Sequence, residues 1–235
     1  YATAFFLTQD VAPDYYEGYT SKIHRLFPEY GEDRPATAYA TIGAWSWATS
    51  RIIDALADNP VIDSNAIAVV GHSRGGKTAL LTGALDDRVA LVCSSCAGNS
   101  GDALARGSTG ERLLDINEGF PYWFDNNYKK YNNNEDAMPF DQHMLLSLIA
   151  PRHLYTTSRS LDAWADPEGQ FMSLVLADEV YRLYGVEGLE QYEMPLPEHP
   201  LHEGHIAYHM KTGAHNLDEY DWHNFMDYAD GFMKA

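Results

Sequence analysis

One stretch of the sequence, residues 66–92, constrains the fold more than any other. Ala66–Val70 is a short apolar run of the kind found in a strand buried on both faces, and a second such run follows at Val89–Val92. A Gly-rich turn at 71–76 and a helical stretch at 77–84 stand between them. A strand, a helix and a strand in this order form a right-handed βαβ unit, so the sequence predicts a parallel sheet.

The remaining elements continue this α/β pattern. Tyr1–Pro35 has no sustained period and predicts loop and short irregular structure, while Gly98–Gln142 resembles a lid or pocket wall, since long loops in compact domains are usually functional. Apolar spacing predicts helices at Ala36–Leu56, Gln142–Ile149, Phe171–Tyr184 and Tyr220–Met233, and strands at His153–Thr157, Tyr192–Met194 and Ile206–His209.

Composition narrows the class of protein. The chain has 235 residues, 45% of them hydrophobic, which suits one domain over residues 1–235. Its 34 acidic against 16 basic residues, a formal charge of −18, oppose binding to nucleic acid or to an anionic membrane surface. No apolar stretch approaches the roughly 20 residues of a membrane span, so we expect a soluble protein that acts on a neutral or locally compensated substrate.

Cys93 and Cys96 are the only cysteines, too few for a disulfide framework. Their C-x-x-C spacing is compatible with a redox pair or half of a zinc site. They follow an apolar strand, however, and the sequence holds no second pair to complete a four-thiolate site. We therefore interpret both as small core residues at a strand end.

The turn at 71–75 reads Gly-His-Ser-Arg-Gly, a G-x-S-x-G motif between a predicted strand and a predicted helix. That context is typical of the nucleophile turn of an α/β-hydrolase, whose strained backbone and close helix–strand approach require small neighbours. Ser73 is the predicted nucleophile. The N-terminus of the following helix would favour the oxyanion that forms during acyl transfer.

In this fold the acid and then the base follow the nucleophile along the chain. Asp162 and Asp166 both come after the predicted strand His153–Thr157, and we prefer Asp162 because Asp166 precedes Pro167 and suits a helix N-cap. His215, in a small-residue turn before the last helix, is the predicted base. The other late candidates are His199, His202, His205, His209 and His223.

Several motifs in order along the chain resemble one family. They are Gly-His-Ser-Arg-Gly-Gly-Lys at 71–77, Phe-Pro-Tyr-Trp-Phe at 120–124, Asp-Gln-His at 141–143, Ile-Ala-Pro-Arg at 149–152, Asp-Ala-Trp-Ala-Asp-Pro-Glu-Gly at 162–169 and Tyr-His-Met-Lys-Thr-Gly-Ala-His at 208–215. Together they resemble the glucuronoyl esterases of carbohydrate esterase family 15, the bacterial branch more than the fungal one. The resemblance implies a three-layer αβα sandwich and hydrolysis of the ester between 4-O-methyl-glucuronic acid of xylan and lignin alcohols.

The resemblance also implies roles for individual residues. Ser73 matches the nucleophile and His215 the base, and Arg74 matches an arginine that helps to stabilise the oxyanion. Lys77, Glu111 and Trp164 match residues that contact the sugar. From the residues alone, Arg74 and Lys77 could also be solvated helix charges, Glu111 an ordinary surface carboxylate and Trp164 a core residue.

The chain departs from the family pattern at two places. Many members carry the acid after the strand that follows the nucleophile helix, where this chain has Cys96. A thiol cannot replace a carboxylate, and Asp162 matches the position that some bacterial members use instead. The family's strands before Ala36–Leu56 are also missing from the sequence, which leaves an exposed sheet edge.

Two other functions stay open at this point. One is an acetyl xylan esterase or another small-ester hydrolase on the same fold, and the other is a carbohydrate-binding protein without turnover. The predicted mechanism needs no metal or organic cofactor. We expect a monomer, secreted or periplasmic because a polysaccharide substrate favours export; the natural alcohol and the preferred xylan length are not predicted.

Overall fold

The computed structural model describes residues 1–27 and 33–233. It divides into two compact units, Tyr1–Ser64 with Arg112–Met138 and Asn65–Glu111 with Pro139–Ala235, which are described separately below. The single domain over residues 1–235 stays a prediction. In chain order the elements are α1 (Thr8–Val11), α2 (Thr41–Ala57), β1 (Ile67–His72), α3 (Arg74–Leu85), β2 (Val89–Ser95), α4 (Leu113–Gly119), α5 (Gln142–Ser147), β3 (His153–Arg159), α6 (Pro167–Leu183), β4 (Ile206–Lys211) and α7 (Glu219–Met233).

The larger unit is built on a four-stranded sheet in the order β1-β2-β3-β4, and every neighbouring pair is parallel. The predicted βαβ unit and parallel sheet are therefore confirmed. The strands run on past the predicted apolar runs into polar residues at their carboxyl ends, such as Ser95 in β2 and Arg159 in β3. In open parallel sheets, ligands bind at the carboxyl ends of the strands.

Helices cover both faces of this sheet. A Cβ atom added to Gly83 of α3 would lie 2.1 Å from Val92, so α3 packs tightly on the Val92 face. The preceding residue of β2, Leu91, points to the opposite face, where it joins a buried cluster with Phe225 and Tyr228 of α7. The predicted three-layer αβα arrangement is thus present within this unit.

The strand β1 differs from its prediction. We predict a strand buried on both faces, but Ala68 is exposed and residues 69–72 are only half-buried. The reason is position: β1 lies at the edge of the sheet, and no strand among the described residues pairs with its outer side. A continuous apolar run cannot by itself distinguish a central strand from an edge strand.

Two further predictions need correction. Tyr192–Met194 is not a strand; the Tyr192 hydroxyl instead donates to Asp178 of α6 at 2.5 Å. The stretch Gly98–Gln142 is not wholly irregular, because it contains the helix α4. At the N-terminus of α4, the Asp115 side chain accepts a hydrogen bond from the Arg112 N–H at 2.9 Å. The remaining predicted helices and strands are present, with ends shifted by a few residues.

The smaller unit contains α1, α2 and α4. The helix α2 begins at Thr41, later than the predicted Ala36, where the carbonyls of Tyr122 and Trp123 accept its first backbone N–H groups at 3.1 and 3.2 Å. The buried Trp45 indole donates to the carbonyl of Ala12 at 2.9 Å, which ties the N-terminal segment to α2. Tyr1–Pro35 is otherwise short irregular structure as predicted, and its residues 28–32 lie outside the described part. Among the described helices, none is both long and apolar enough to cross a bilayer.

Candidate active site

Ser73 occupies the sharp turn between β1 and α3. Its φ of 56° and ψ of −123° are unfavourable for a residue with a side chain. The turn is held in place because the Ser73 N–H donates to the carbonyl of Ser95 at 2.7 Å, at the end of the neighbouring strand. A strained serine at the carboxyl end of a strand and the start of a helix is the geometry expected of an α/β-hydrolase nucleophile.

Close approach around this turn explains two of its three glycines. A Cβ atom on Gly71 would lie 1.9 Å from the carbonyl oxygen of Gly75, and one on Gly76 would lie 2.9 Å from the hydroxyl of Ser94. A Cβ on Gly75 would meet no atom of the described residues within 4 Å. The steric demand expected of both motif glycines therefore applies to Gly71, and beyond the motif to Gly76, but not to Gly75.

Asp162 and His215 form a direct pair beside this turn. Asp162 follows β3 and is 7% exposed, and its Oδ2 lies 2.6 Å from Nδ1 of His215. The His215 side chain is 43% exposed, so its outer edge remains open. Asp166, the alternative acid, instead caps α6 through the Gly169 N–H at 3.1 Å and accepts from the Thr109 hydroxyl at 3.0 Å.

His72 contacts His215 and connects it to the nucleophile turn. The two imidazole centroids are 4.5 Å apart, and His72 immediately precedes Ser73. Its Nδ1 lies 3.2 Å from the hydroxyl of Ser95, which in turn accepts from Thr157 at 3.1 Å. Burial, together with the nearby imidazole of His215, lowers the pKa of His72 to about 4. Sequence reasoning missed this residue, although it stands inside the motif.

Cys96 completes this cluster. It follows β2 in a left-handed conformation with φ of 48°, and its thiol is almost fully buried. Burial raises the pKa of Cys96 to about 12, so it is protonated at neutral pH. Its ligand atom and those of Asp162 and His215 all lie within 4.8 Å of one another. Cys93 is also a free thiol, but it lies in the core beneath α7, where burial raises its pKa.

Lys77 is buried on the helix that begins after Ser73, with 4% of its side chain exposed. Its ammonium donates to the carbonyls of Ala97, at 2.5 Å, and Asn99, and Oε2 of Glu111 lies 3.9 Å away. Burial lowers the pKa of Lys77 despite the neighbouring carboxylate. The alternative of a solvated helix charge is therefore wrong for Lys77, whereas Arg74, at the start of α3, is half-exposed.

Glu111 and Trp164 lie on two loops that are joined by backbone contacts. The Glu111 N–H donates to the carbonyl of Trp164 at 2.8 Å, and a Cβ atom on Gly110 would lie 2.3 Å from the same oxygen. Asp166 links the loops a second time, through its contacts with Thr109. Trp164 is 59% exposed, so it is not a core residue.

A buried ionic cluster supports the loop that carries His215. The guanidinium of Arg159, 1% exposed, donates to the carboxylate of Asp221 and, through Nε, to the carbonyl of Asn216 at 3.0 Å. His209 contacts the other oxygen of Asp221 at 2.9 Å. Burial lowers the pKa of His209, which favours its neutral form. His209 is therefore a structural residue within this cluster.

Comparison with known proteins assigns the chain to a family. A family model described as glucuronyl esterase, fungi, matches residues 1–185. The chain belongs to the glucuronoyl esterase family. It is similar to a carbohydrate esterase of an unknown prokaryotic organism, with 38% identity over 99% of this chain and 54% of the relative. It is also similar to the 4-O-methyl-glucuronoyl methylesterase of Schizophyllum commune, with 37% identity over 69% of this chain and 44% of the relative.

Among solved structures, a glucuronoyl esterase from Solibacter usitatus matches 95% of this chain and 57% of its own, with 38% identity and a TM-score of 0.89. The predicted family and α/β-hydrolase fold are thus confirmed, as is the greater resemblance to the bacterial members. This chain spans about half the length of the relatives that it matches.

Proposed function

We propose that this protein is a serine esterase that hydrolyses the ester between 4-O-methyl-glucuronic acid of xylan and lignin alcohols. The observation that carries the proposal is the 2.6 Å contact of Asp162 with His215 beside the strained turn at Ser73. Ser73, Asp162 and His215 supply a nucleophile, an acid and a base in the chain order that the fold requires. Membership of the glucuronoyl esterase family supports the uronate ester as the substrate.

In the proposed mechanism, His215 takes the proton of Ser73 as the hydroxyl attacks the ester carbonyl. Asp162, nearly fully buried, accepts the Nδ1 proton of His215 in a hydrogen bond and stabilises the imidazolium. The alcohol leaves with the proton from His215, and an acyl-enzyme remains on Ser73. A water molecule, activated by the same imidazole, then releases the uronic acid.

Electrostatic stabilisation comes from the start of α3. The tetrahedral intermediate carries a negative oxygen, which the N-terminus of α3 and the cation of Arg74 would stabilise. Lys77, held by two carbonyls and near Glu111, would present its remaining donor to a sugar hydroxyl. The exposed ring of Trp164 would stack on the apolar face of the sugar.

The test is hydrolysis of methyl and benzyl esters of glucuronic acid, with acetylated xylan and an aryl acetate in parallel, by the wild type and Ser73→Ala. We expect cleavage of the uronate esters that disappears in Ser73→Ala while the variant stays folded. Cleavage of acetyl esters alone would overturn the substrate but retain the serine chemistry. Sugar binding without cleavage of any ester by the folded wild type would favour a carbohydrate-binding protein. We also propose that the protein is a monomer and that it acts outside the cytoplasm, because its proposed substrate is a polymer.

A further inference from the structure

Three side chains with metal-binding atoms converge at the carboxyl edge of the sheet from three separate strand ends. Cys96 follows β2, Asp162 follows β3 and His215 follows β4. Their ligand atoms all lie within 4.8 Å of one another. A thiolate, a carboxylate and an imidazole are the three donor types that bind Zn²⁺ in proteins, and the thiol favours thiophilic cations over Mg²⁺ or Ca²⁺.

The three ligand atoms lie within 4.8 Å of one another, so shifts of about 1 Å would bring them to tetrahedral spacing. With metal–ligand distances of about 2.0 to 2.3 Å, neighbouring ligand atoms in a tetrahedron are about 3.3 to 3.6 Å apart. The 2.6 Å contact of Asp162 with His215 would have to widen by less than about 1 Å. Cys96 and Asp162 are buried, whereas His215 is partly exposed and lies in a loop. His215 therefore has more room to move than the other two ligands, and the fourth position would take water.

We propose that Cys96, Asp162 and His215 form an inhibitory site for Zn²⁺ or a similar thiophilic divalent cation. Binding releases the thiol proton of Cys96 to solvent and places the metal on one imidazole nitrogen of His215. The single proton of the neutral imidazole then sits on the other nitrogen, so no lone pair remains to accept the proton of Ser73. Inhibition by this route rests on the proposed function, but binding does not.

Cys96 is the residue that completes the set of three ligands. An Asp–His pair alone offers two ligands, and a third soft donor is what converts it into a zinc-type set. Cys93, the other thiol, lies in the core with Tyr155 and Phe225 and faces α7. Cys93→Ala is therefore a matched control that removes a buried thiol and leaves the three ligands in place.

Binding is tested without any activity measurement by titrating the reduced, chelator-treated protein with Co²⁺. We expect a thiolate-to-cobalt charge-transfer band in the near ultraviolet for the wild type and Cys93→Ala, absent in Cys96→Ala and displaced by Zn²⁺. Asp162→Asn should weaken binding while the band remains detectable at higher Co²⁺. Circular dichroism confirms that each variant is folded. A band of equal strength in Cys96→Ala, or none in the wild type, would overturn the site.

Inhibition is tested separately on ester hydrolysis. Removing a direct ligand should raise the half-inhibitory Zn²⁺ concentration by about 100-fold or more in Cys96→Ala, because even supporting residues around metal sites change affinity 10- to 100-fold. A chelator should restore wild-type activity. Equal Zn²⁺ sensitivity of the wild type and Cys96→Ala would show that inhibition arises elsewhere. Co²⁺ binding through Cys96 in a protein that cleaves no ester would retain the site and reject the proposed function.

Discussion

Oδ2 of Asp162 lies 2.6 Å from Nδ1 of His215, and the two ends of this pair differ in their access to solvent. The carboxylate is almost fully buried, whereas nearly half of the imidazole is exposed. Burial at one end fixes the ring through a single hydrogen bond and leaves its other edge available to react. The pair is thus oriented by a group that solvent cannot reach.

We expect Asp162→Asn to lower kcat by about 10³- to 10⁴-fold, because an amide at this position would stabilise the wrong imidazole tautomer. The measurement is kcat on a methyl glucuronate ester, with circular dichroism to confirm folding. Cys96→Ala is the control. The Cys96 thiol is protonated and cannot supply the negative charge that orients the imidazole, so kcat of this variant should match the wild type in metal-free buffer. Unchanged kcat in Asp162→Asn would remove this residue from the triad.

Asp166→Ala should affect substrate binding more than turnover. Asp166 fixes the loop of Thr109 to the start of α6, next to Glu111 and Trp164. We expect KM for the uronate ester to rise about tenfold with a smaller change in kcat, and the free energy of unfolding to fall by about 1 kcal/mol through loss of the helix cap. Asp166→Asn, which can still cap the helix in a left-handed conformation, should recover most of the stability. Equal KM values for the wild type and Asp166→Ala would refute this positioning role.

Gly71→Ala and Gly75→Ala should differ sharply in stability although they flank the same serine. The added methyl group at Gly71 would overlap a backbone carbonyl at 1.9 Å, and we expect a loss of about 3 kcal/mol or more in the free energy of unfolding. At Gly75, in the first turn of α3, the methyl group meets no described atom and should leave stability unchanged or raise it by up to about 1 kcal/mol. Urea unfolding of both variants measures the two changes. A loss of stability at Gly71 as small as that at Gly75 would show that the helix and the strand can separate to make room.

Asp221→Asn should destabilise the protein far more than Asp218→Asn. Arg159 and Asp221 are both fully buried, and removal of one partner of a buried ion pair costs about 3 to 5 kcal/mol. Asp218 is 31% exposed and lies 3.6 Å from the same guanidinium, so its loss should cost about 1 kcal/mol or less. Chemical denaturation measures both, and losses of the same size would contradict the difference in burial.

Local sequence patterns predict most of the fold because helices and strands leave a period in the chain. The turn at Ser73 is predictable because its motif is contiguous, whereas Asp162 and His215 are predicted from the chain order that the fold requires. The failures are all long-range. The edge position of β1 depends on which strands pair, and the segment at Tyr192 is set by a contact with Asp178 rather than by its own apolar residues.

The approach of Cys96 to His215 could not be predicted from spacing either. They are separated by more than half of the chain, and only the parallel sheet brings their strand ends to one edge. The cysteine pair suggests a search for a second pair of thiols, whereas the partners in space are a carboxylate and an imidazole. The role of His72 is not predictable for a similar reason, because its contact with His215 joins the end of β1 to the loop that follows β4.

The row of strand ends also makes the acid of this site transferable. The position of Cys96 and the position of Asp162 lie on adjacent strands, and both reach the same imidazole within 4.8 Å. A carboxylate at either strand end could therefore serve the proposed mechanism, with Ser73 and His215 in their present places. If the proposed acid is Asp162, the two positions are redundant in an evolutionary sense, since a carboxylate gained at one of them could precede its loss at the other.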